Sequence, residues 1–179
     1  MDIMYVSGSP RKNSNTDYLL EALRSLIGGI FYKLSDYYIE PCRACRDCRG
    51  MGKCIIEDDM QKLIIPELLK SDVIILGTPV YFNNVSSHMK KFIDRTYCLM
   101  GHLQNKMGGT IVVGRKYGAE GAITAINAFF LKHEMIPVNR GVLGFAFNTG
   151  DIKIDSDAIE STKGLGNRIV ELGKKLGYQ

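Results

Sequence analysis

The chain lacks any long apolar run. Its 179 residues are 45% hydrophobic and 23% charged, but no stretch approaches the roughly 20 consecutive apolar residues that a membrane-spanning helix needs. We therefore expect no membrane partner. Low-complexity tracts, internal repeats and a signal peptide are also missing. The sequence thus predicts one globular domain over residues 1–179, located in a reducing cytoplasm.

Strong charge bias and common nucleotide motifs are missing as well. The net charge of +4 is too small and too dispersed to indicate nucleic-acid binding. Neither G-x-x-x-x-G-K-[ST] nor G-x-G-x-x-G occurs, which excludes a P-loop and a dinucleotide fingerprint. The three histidines, His88, His102 and His133, show no partner pattern. We interpret them as surface or packing residues and predict no catalytic acid, base or nucleophile.

Cysteine is scarce except in one segment, at about 41–57. Four of the five cysteines lie there with the spacing C-x2-C-x2-C-x5-C: Cys42, Cys45, Cys48 and Cys54. Thiolates this close in sequence can converge on one metal centre, and the spacing is of the kind that an iron–sulfur cluster uses. Structural zinc and free thiols are the alternatives, whereas a disulfide framework does not suit a reducing compartment. Gly50 and Gly52 allow the backbone to turn back for the last cysteine.

The same segment is basic. Arg43, Arg46, Arg49 and Lys53 outnumber Asp47. Cations beside thiols favour the thiolate, and positive charge raises the reduction potential of a cluster. The segment should therefore attract an acidic electron carrier.

Predicted strands and helices alternate along the chain. The strands cover 2–7, 30–34, 72–77, 109–113 and 137–147, and the helices cover 14–26, 58–70, 86–97, 118–133 and 157–176. Asp58 and Asp59 are interpreted as caps of the second helix, and Cys98 as a small buried hydrophobe. This order predicts an α/β domain with helices on both faces of a doubly wound parallel sheet. Its ligands should bind where the first, third and fourth strands end.

The loop after the first strand is polar. It reads SGSPRKNSNT at 7–16 and leads into a helix N-terminus, which offers free N–H groups and a favourable dipole to an anion. Ser9, Ser14, Asn15 and Thr16 can add hydrogen bonds, and Arg11 can add charge. We predict that a phosphate monoester binds here. The alternative is a helix cap followed by a polar turn.

The loop after the third strand reads TPVYFNNVS at 78–86. Pro79 stiffens the turn, Tyr81 and Phe82 offer aromatic surface, and Asn83 or Asn84 can hydrogen-bond the polar edge of a ring. A planar heterocycle between the first and third strand ends would contact these groups. The alternative is that both aromatic side chains belong to the core.

Taken together, GSPRKNSNT and TPVYFNNVSSHMKKFIDR resemble the NAD(P)H-dependent FMN reductases of the flavodoxin-like superfamily. With PCRACRDCRGMGKC and the following IIEDDM, the chain is similar to the iron–sulfur flavoproteins of archaea and anaerobic bacteria. The likeness covers almost the whole chain. It implies a flavodoxin-like sheet of five parallel strands in the order 2-1-3-4-5 and one FMN per subunit. It also implies a homodimer or homotetramer in which flavin and cluster meet across subunits.

The resemblance also implies site residues. The phosphate and ring of FMN would contact Ser9, Arg11, Asn13, Ser14, Asn15, Thr16, Thr78, Pro79, Val80, Tyr81, Phe82 and Asn83, with Gly114 to Gly118 closing the other side of the ring. Cys42, Cys45, Cys48 and Cys54 would bind a [4Fe–4S] cluster.

The predicted function is that of an electron-transfer flavoenzyme. It would pass electrons between a reduced donor, ferredoxin or NAD(P)H, and an acceptor. One alternative is an NAD(P)H-dependent FMN or quinone reductase without a cluster. Another is a non-enzymatic electron carrier or redox sensor.

Overall fold

A computed structural model describes residues 1–178. The elements in chain order are β1 (Ile3–Ser7), α1 (Asn15–Ile27), β2 (Ile30–Lys33), α2 (Ile65–Lys70), β3 (Val73–Pro79), α3 (Ser87–Arg95), β4 (Met107–Gly114), α4 (Ala119–Lys132), β5 (Ile136–Pro137), β6 (Val142–Phe145) and α5 (Ser156–Lys175). Gln179, the last residue of the predicted domain, lies outside the described residues. That residues 1–179 form a single domain stays a prediction.

The strands form one parallel sheet in the order β2-β1-β3-β4-β5, and β6 also pairs with β4. In the central register, Val6 of β1 lies beside Leu76 of β3, and Gly77 of β3 lies beside Ile111 of β4. The order 2-1-3-4-5 of a doubly wound sheet is confirmed. The order reverses between β1 and β3, so the loops after these two strands meet at the same edge.

Successive side chains of each strand point to opposite faces of the sheet, which builds two cores. Met4 and Val6 pack on the face covered by α2, α3 and α4. Ile3 and Tyr5 pack on the other face, against α1 and α5. Because both faces are covered, the central strands β1, β3 and β4 are almost entirely buried. Cys98 is fully buried, as predicted.

Most helix boundaries lie close to the predicted ones. Ser14 caps α1 and Ser86 caps α3 through their side chains, and Gly28 ends α1 with a left-handed φ of 76°. No helix within residues 1–178 is both long enough and apolar enough to span a bilayer.

The predicted fifth strand is divided in two, so the sheet has six strands rather than five. Between β5 and β6 the backbone turns away at Gly141, whose φ is +122°. The Asn139 side chain accepts the Gly141 N–H at 3.0 Å, so this group is not free to pair with β4. A side chain that replaces a ladder hydrogen bond interrupts a strand.

The predicted helix at 58–70 also differs in detail. Its first part is a π-helical turn over Met60–Ile64, and regular α-helix begins only at Ile65. Pro66 lies at the start of α2. Because proline has no N–H to donate back to the preceding turn, the wider turn precedes it.

Candidate functional site

The loop between β1 and α1 is a polar turn that ends in a helix cap. The Ser14 hydroxyl oxygen accepts the backbone N–H groups of Thr16 at 3.1 Å and Asp17 at 3.2 Å. Upstream, the Ser9 N–H donates to the Ser7 hydroxyl at 3.2 Å. These bonds order the first turn of α1, whose remaining N–H groups and dipole favour an anion at the sheet edge.

An ion pair supports this loop from the side of β2. Lys33 Nζ binds the Asp17 carboxylate and also donates to the carbonyl of Arg11, while the Ser7 hydroxyl donates to Asp17. The Lys33 and Asp17 side chains are only 13% and 15% exposed. Because Lys33 balances the carboxylate, Asp17 can lie beside the loop without leaving a net negative charge there.

Asn15 joins the loop to the segment after β6. Its side-chain NH₂ donates to the Asn148 carbonyl at 2.8 Å, and its oxygen accepts the Gly150 N–H at 2.7 Å. Both ends of the amide are thus used to hold two loops together. Asn13 is exposed and lies in a neighbouring groove beside Lys12.

The loop after β3 forms a tight two-residue turn. Tyr81 and Asn84 exchange backbone hydrogen bonds of 2.9 and 3.0 Å. Phe82 and Asn83 between them have φ values of 47° and 60°, as in a type I′ turn. Phe82 is fully exposed and Tyr81 is 39% exposed. The alternative that both aromatic side chains are core residues is therefore wrong.

Ser86 connects this loop to the phosphate loop. Its hydroxyl donates to the Gly8 carbonyl at 2.6 Å, and its backbone N–H donates to Thr78 Oγ1 at 3.0 Å. The buried Thr78 hydroxyl in turn donates to the Pro79 carbonyl at 3.0 Å. Thr78 thus positions the turn from within and is absent from the cavity wall.

Asn83 packs directly on the start of α4. A Cβ atom at Gly121 would lie 2.0 Å from the Asn83 backbone oxygen, and one at Gly118 would lie 2.2 Å from the Asn83 side-chain oxygen. Gly118 also has a φ of +79°. Only glycine permits this approach and this conformation. Asn83 and Gly118 therefore contact each other beside the cavity instead of lining it.

Between the two loops lies a cavity of about 330 Å³ at the carboxyl edge of the sheet. The predicted residues that line it are Ser9, Arg11, Ser14, Asn15, Thr16, Pro79, Val80, Tyr81, Phe82 and Gly114. The structure thus brings together hydroxyl groups, the guanidinium groups of Arg11 and Arg115, and an aromatic wall. This arrangement suits a ligand that combines a phosphate with a planar ring.

Arg115, which lies within the predicted range from Gly114 to Gly118, also lines the cavity. Three residues of the cavity wall were not predicted: Val113, Ala146 and Phe147. Ala146 and Phe147 lie beyond the end of β6, whereas the sequence pattern extends the fifth strand through 147. The early end of that strand places them in a loop at the cavity.

A second cavity, of about 580 Å³, contains all four cysteines of the basic segment. Cys42 and Cys45 are exposed and Cys48 and Cys54 are buried, and none forms a disulfide. The other wall residues are Arg43, Ala44, Arg46, Arg49, Ile56, Asp94, Arg95 and Tyr97. The spacing of the cysteines in sequence therefore does correspond to one shared space in the fold.

The conformation of the cysteine segment is unusual. Ala44 and Arg46 have left-handed φ values of 52° and 65°, and Gly50 and Gly52 have φ values of 70° and 68°. The Gly52 N–H donates to the Cys98 carbonyl at 3.1 Å, which fixes the return of the segment to the domain. The predicted role of the two glycines in turning the backbone is confirmed.

The donor chemistry of this cavity fits a soft metal or an iron–sulfur cluster. Burial raises the pKa of the Cys48 thiol, and the neighbouring Cys54, Cys45 and Cys42 raise it further. Four thiols so close repel one another as thiolates, and a bound cationic centre would relieve that repulsion. Within residues 1–178, however, no three or more His, Cys, Asp or Glu side chains already stand in a metal-holding arrangement. The four thiols are suitable ligands for a soft metal or a cluster, but in this structure they do not yet converge on one centre.

A buried salt bridge joins Arg95, which lines the cysteine cavity, to Asp58. Arg95 Nη1 and Nη2 bind the two Asp58 oxygens at 2.5 and 2.9 Å. Burial by itself would raise the pKa of Asp58, but hydrogen bonds from Arg95 and from the N–H groups of Glu40 and Gln61 bring it below its usual range. The prediction that both carboxylates cap the helix is only half right. Asp58 does accept the Gln61 N–H at 3.2 Å, whereas Asp59 accepts the N–H of Tyr38.

The residues that line these two cavities are consistent with the similarity of the chain to known proteins. Residues 1–150 match the family model described as NADPH-dependent FMN reductase. The chain belongs to the NADPH-dependent FMN reductase family. The resemblance stated from the sequence is confirmed. The protein is a flavin-dependent oxidoreductase, and FMN is the flavin that its family supports.

Relatives match this family member over nearly its whole length. An iron–sulfur flavoprotein of Methanocaldococcus jannaschii is 38% identical to this chain. The aligned region covers 97% of this chain and 98% of that protein. An iron–sulfur flavoprotein of Archaeoglobus fulgidus is 32% identical, and the aligned region covers 97% of this chain and 96% of that protein. A solved flavodoxin from the domain Archaea superposes with a TM-score of 0.63 at 17% identity, covering 97% of this chain and 99% of the flavodoxin. The flavodoxin-like fold is thereby confirmed.

Proposed function

We propose that the protein is an electron-transfer oxidoreductase that uses FMN and a [4Fe–4S] cluster. The observation that carries this proposal is the presence of two cavities on one chain, one at the sheet edge and one that gathers four cysteines. FMN exchanges electrons in pairs or singly, and a cluster exchanges them singly. The side chains of the protein bind and orient the two groups.

The phosphate of FMN would bind at the start of α1. Ser9, Ser14 and Thr16 line the cavity with hydroxyl groups, and Arg11 adds a positive charge. The Ser14 oxygen already accepts two backbone N–H groups, which leaves its own hydrogen free to donate to a phosphate oxygen. Asn13, which lies outside the cavity wall, is the weakest member of the predicted set.

The flavin ring would lie against the loop after β3. Pro79, Val80 and Tyr81 offer an apolar wall, and Gly114 approaches from β4. Arg115 places a positive charge at the same edge, which favours the negative charge that a flavin gains on reduction. We assign Thr78, Asn83 and Gly118 the role of holding this wall in position.

The cluster would bind to Cys42, Cys45, Cys48 and Cys54. Two of these side chains are exposed, so the segment would close around the cluster on binding. The surrounding Arg43, Arg46 and Arg49 are exposed and basic, which suits an acidic donor such as ferredoxin. NAD(P)H is the alternative donor and would contact the flavin directly.

A second subunit would offer a route for electron transfer between the two groups. No described residue lines both cavities, so the two groups do not share a wall within one chain. We propose a homodimer or homotetramer in which the FMN of one subunit lies near the cluster of another. Analytical ultracentrifugation of the loaded protein tests this, and a monomer that still transfers electrons rapidly would contradict it.

The chief alternative is an FMN or quinone reductase without a cluster. The open arrangement of the cysteines favours it. Anaerobic purification followed by a visible spectrum and by iron and acid-labile sulfide analysis separates the two functions. Iron and sulfide in equal amounts support the proposal, and flavin absorbance alone with no iron supports the alternative. A carrier or sensor would show no steady turnover with either donor.

Replacement of one ligand sharpens this test. Cys48→Ala should remove the cluster absorbance and leave FMN bound, because Cys48 lies in the second cavity alone. The control is Cys98→Ala, which removes a buried thiol that lines neither cavity. Unchanged iron content in Cys48→Ala would contradict the ligand assignment.

A further inference from the structure

We propose that Arg95 is the positioning residue of the cysteine cavity, donating its Nε–H to the sulfur of Cys54 when that sulfur binds the cluster. The inference rests on the proposed function and adds to it a residue outside the cysteine segment. Arg95 ends α3, and nothing in the cysteine motif points to it.

The guanidinium of Arg95 is buried and only partly satisfied. The residue is 2% exposed. Its Nη1 donates to Asp58 at 2.5 Å and to the Glu40 carbonyl at 2.7 Å, and its Nη2 donates to Asp58 at 2.9 Å. Its Nε has no hydrogen-bond partner among residues 1–178. A buried donor without an acceptor destabilises a fold, which indicates that the working protein supplies an acceptor here.

Cys54 is the acceptor that the surroundings offer. Arg95 and Cys54 line the same cavity, and Cys54 is buried too. Burial by itself would lower the pKa of Arg95, but Asp58 and then Cys54 raise it above its usual range. A thiolate or a metal-bound sulfur carries more negative charge than a thiol and is a better acceptor for a cationic donor.

Cys54 is also tied to the carboxylate that orients Arg95. The Cys54 N–H donates to the Gln61 side-chain oxygen at 2.5 Å, and the Gln61 N–H donates to Asp58 at 3.2 Å. Asp58 thus holds Arg95 directly and Cys54 through Gln61. This chain of hydrogen bonds holds the Cys54 backbone and the guanidinium on the same carboxylate.

The consequence is a shift in reduction potential. A hydrogen bond to a ligand sulfur stabilises the reduced, more negative cluster. Arg95 should therefore raise the potential of the cluster. The exposed arginines of the same cavity act through water, which screens their charge, and should have less effect.

The test compares Arg95→Lys with Arg49→Lys, which makes the same change at an exposed position of the same cavity. Both variants keep the charge, but Arg95→Lys loses the Nε–H. Iron and sulfide are measured, and the cluster is titrated anaerobically while its reduced state is followed by electron paramagnetic resonance. We expect both variants to hold the cluster. In Arg95→Lys alone, reduction should become about tenfold less favourable, a shift of about 59 mV for one electron.

A second variant provides the test if Arg95→Lys does not fold. The pair Asp58→Asn with Arg95→Met removes both buried charges together, which avoids leaving one unpaired. It should also lower the potential. A potential equal to that of the wild type in either loaded variant would overturn the role of Arg95. Wild-type protein without iron after anaerobic reconstitution would instead overturn the proposed function.

Discussion

Lys33 and Asp17 form an ion pair that joins the end of β2 to the first turn of α1. Lys33 also binds the carbonyl of Arg11 inside the phosphate loop. One side chain therefore neutralises a carboxylate near the anion site and fixes the backbone of the loop. Neither function is visible in the sequence, where Lys33 lies near the end of a predicted strand at 30–34.

Replacing Lys33 with Met should weaken FMN binding. The Asp17 carboxylate would lose its partner, and its charge would then act on the phosphate. We expect about tenfold weaker binding, or about 1.4 kcal/mol, in a fluorescence titration of apoprotein with FMN. Lys12→Met is the matched control, since it removes the same charge from an exposed position of the same loop. Equal affinities of the two variants would contradict the role of Lys33.

Gly121→Ala should displace the wall of the flavin site. The new Cβ would lie 2.0 Å from the Asn83 backbone oxygen, so the turn at Phe82 must move. We expect a lower melting temperature and weaker FMN binding, measured by thermal unfolding with and without FMN. The control is Gly164→Ala in α5, where a Cβ meets no atom within 4 Å. That change should stabilise the protein by about 0.5 kcal/mol. An equal gain in stability from both substitutions would contradict the close contact between Gly121 and Asn83.

Arg11→Ala should reduce the preference of the protein for FMN over riboflavin. Arg11 is exposed and lines the cavity beside the hydroxyl groups of the phosphate loop. A hydrogen bond to a charged group contributes about 1.5–3 kcal/mol, and only FMN carries the phosphate. Competition titrations with the two flavins measure the effect. Riboflavin affinity should stay unchanged, and an equal loss for both flavins would place the phosphate elsewhere.

The sequence predicts those parts of the structure that depend on neighbouring residues. Two predicted helices begin at Ser14 and Ser86, and in the structure these serines cap α1 and α3. The buried strand β3 is evident from its continuous apolar run. The two loops that follow β1 and β3 could be assigned to one site because parallel strands end at the same edge.

The remaining features depend on contacts between distant segments. Asp58 and Arg95 are 37 residues apart, and nothing local distinguishes their charges from those of surface residues. Gly118 and Gly121 read as ordinary helix-start glycines, although their role is to admit the Asn83 backbone. The cysteine motif indicates which atoms can bind a metal but not their separation, because that depends on how the segment closes.

His133 is a neutral histidine enclosed by the fold. The Thr96 hydroxyl donates to the Ile93 carbonyl, so it accepts a hydrogen bond from His133 Nε2 at 3.0 Å. The other ring nitrogen, Nδ1, has no partner among residues 1–178. Burial lowers the pKa of His133 from 6.5 to about 4, while the Leu99 backbone opposes this shift and Lys132 adds to it. Protonation would place a charge among buried groups that cannot solvate it.

His133 should make the protein less stable in mild acid. Between pH 6.5 and about 4, the unfolded chain binds a proton at this residue and the folded protein does not, so the free energy of unfolding falls as the pH is lowered. The shift corresponds to at most about 3 kcal/mol. Urea unfolding at pH 7 and pH 4.5 measures the difference, which His133→Gln should reduce. His102→Gln, at an exposed position, is the control. If both variants keep the wild-type difference, another group causes the acid sensitivity.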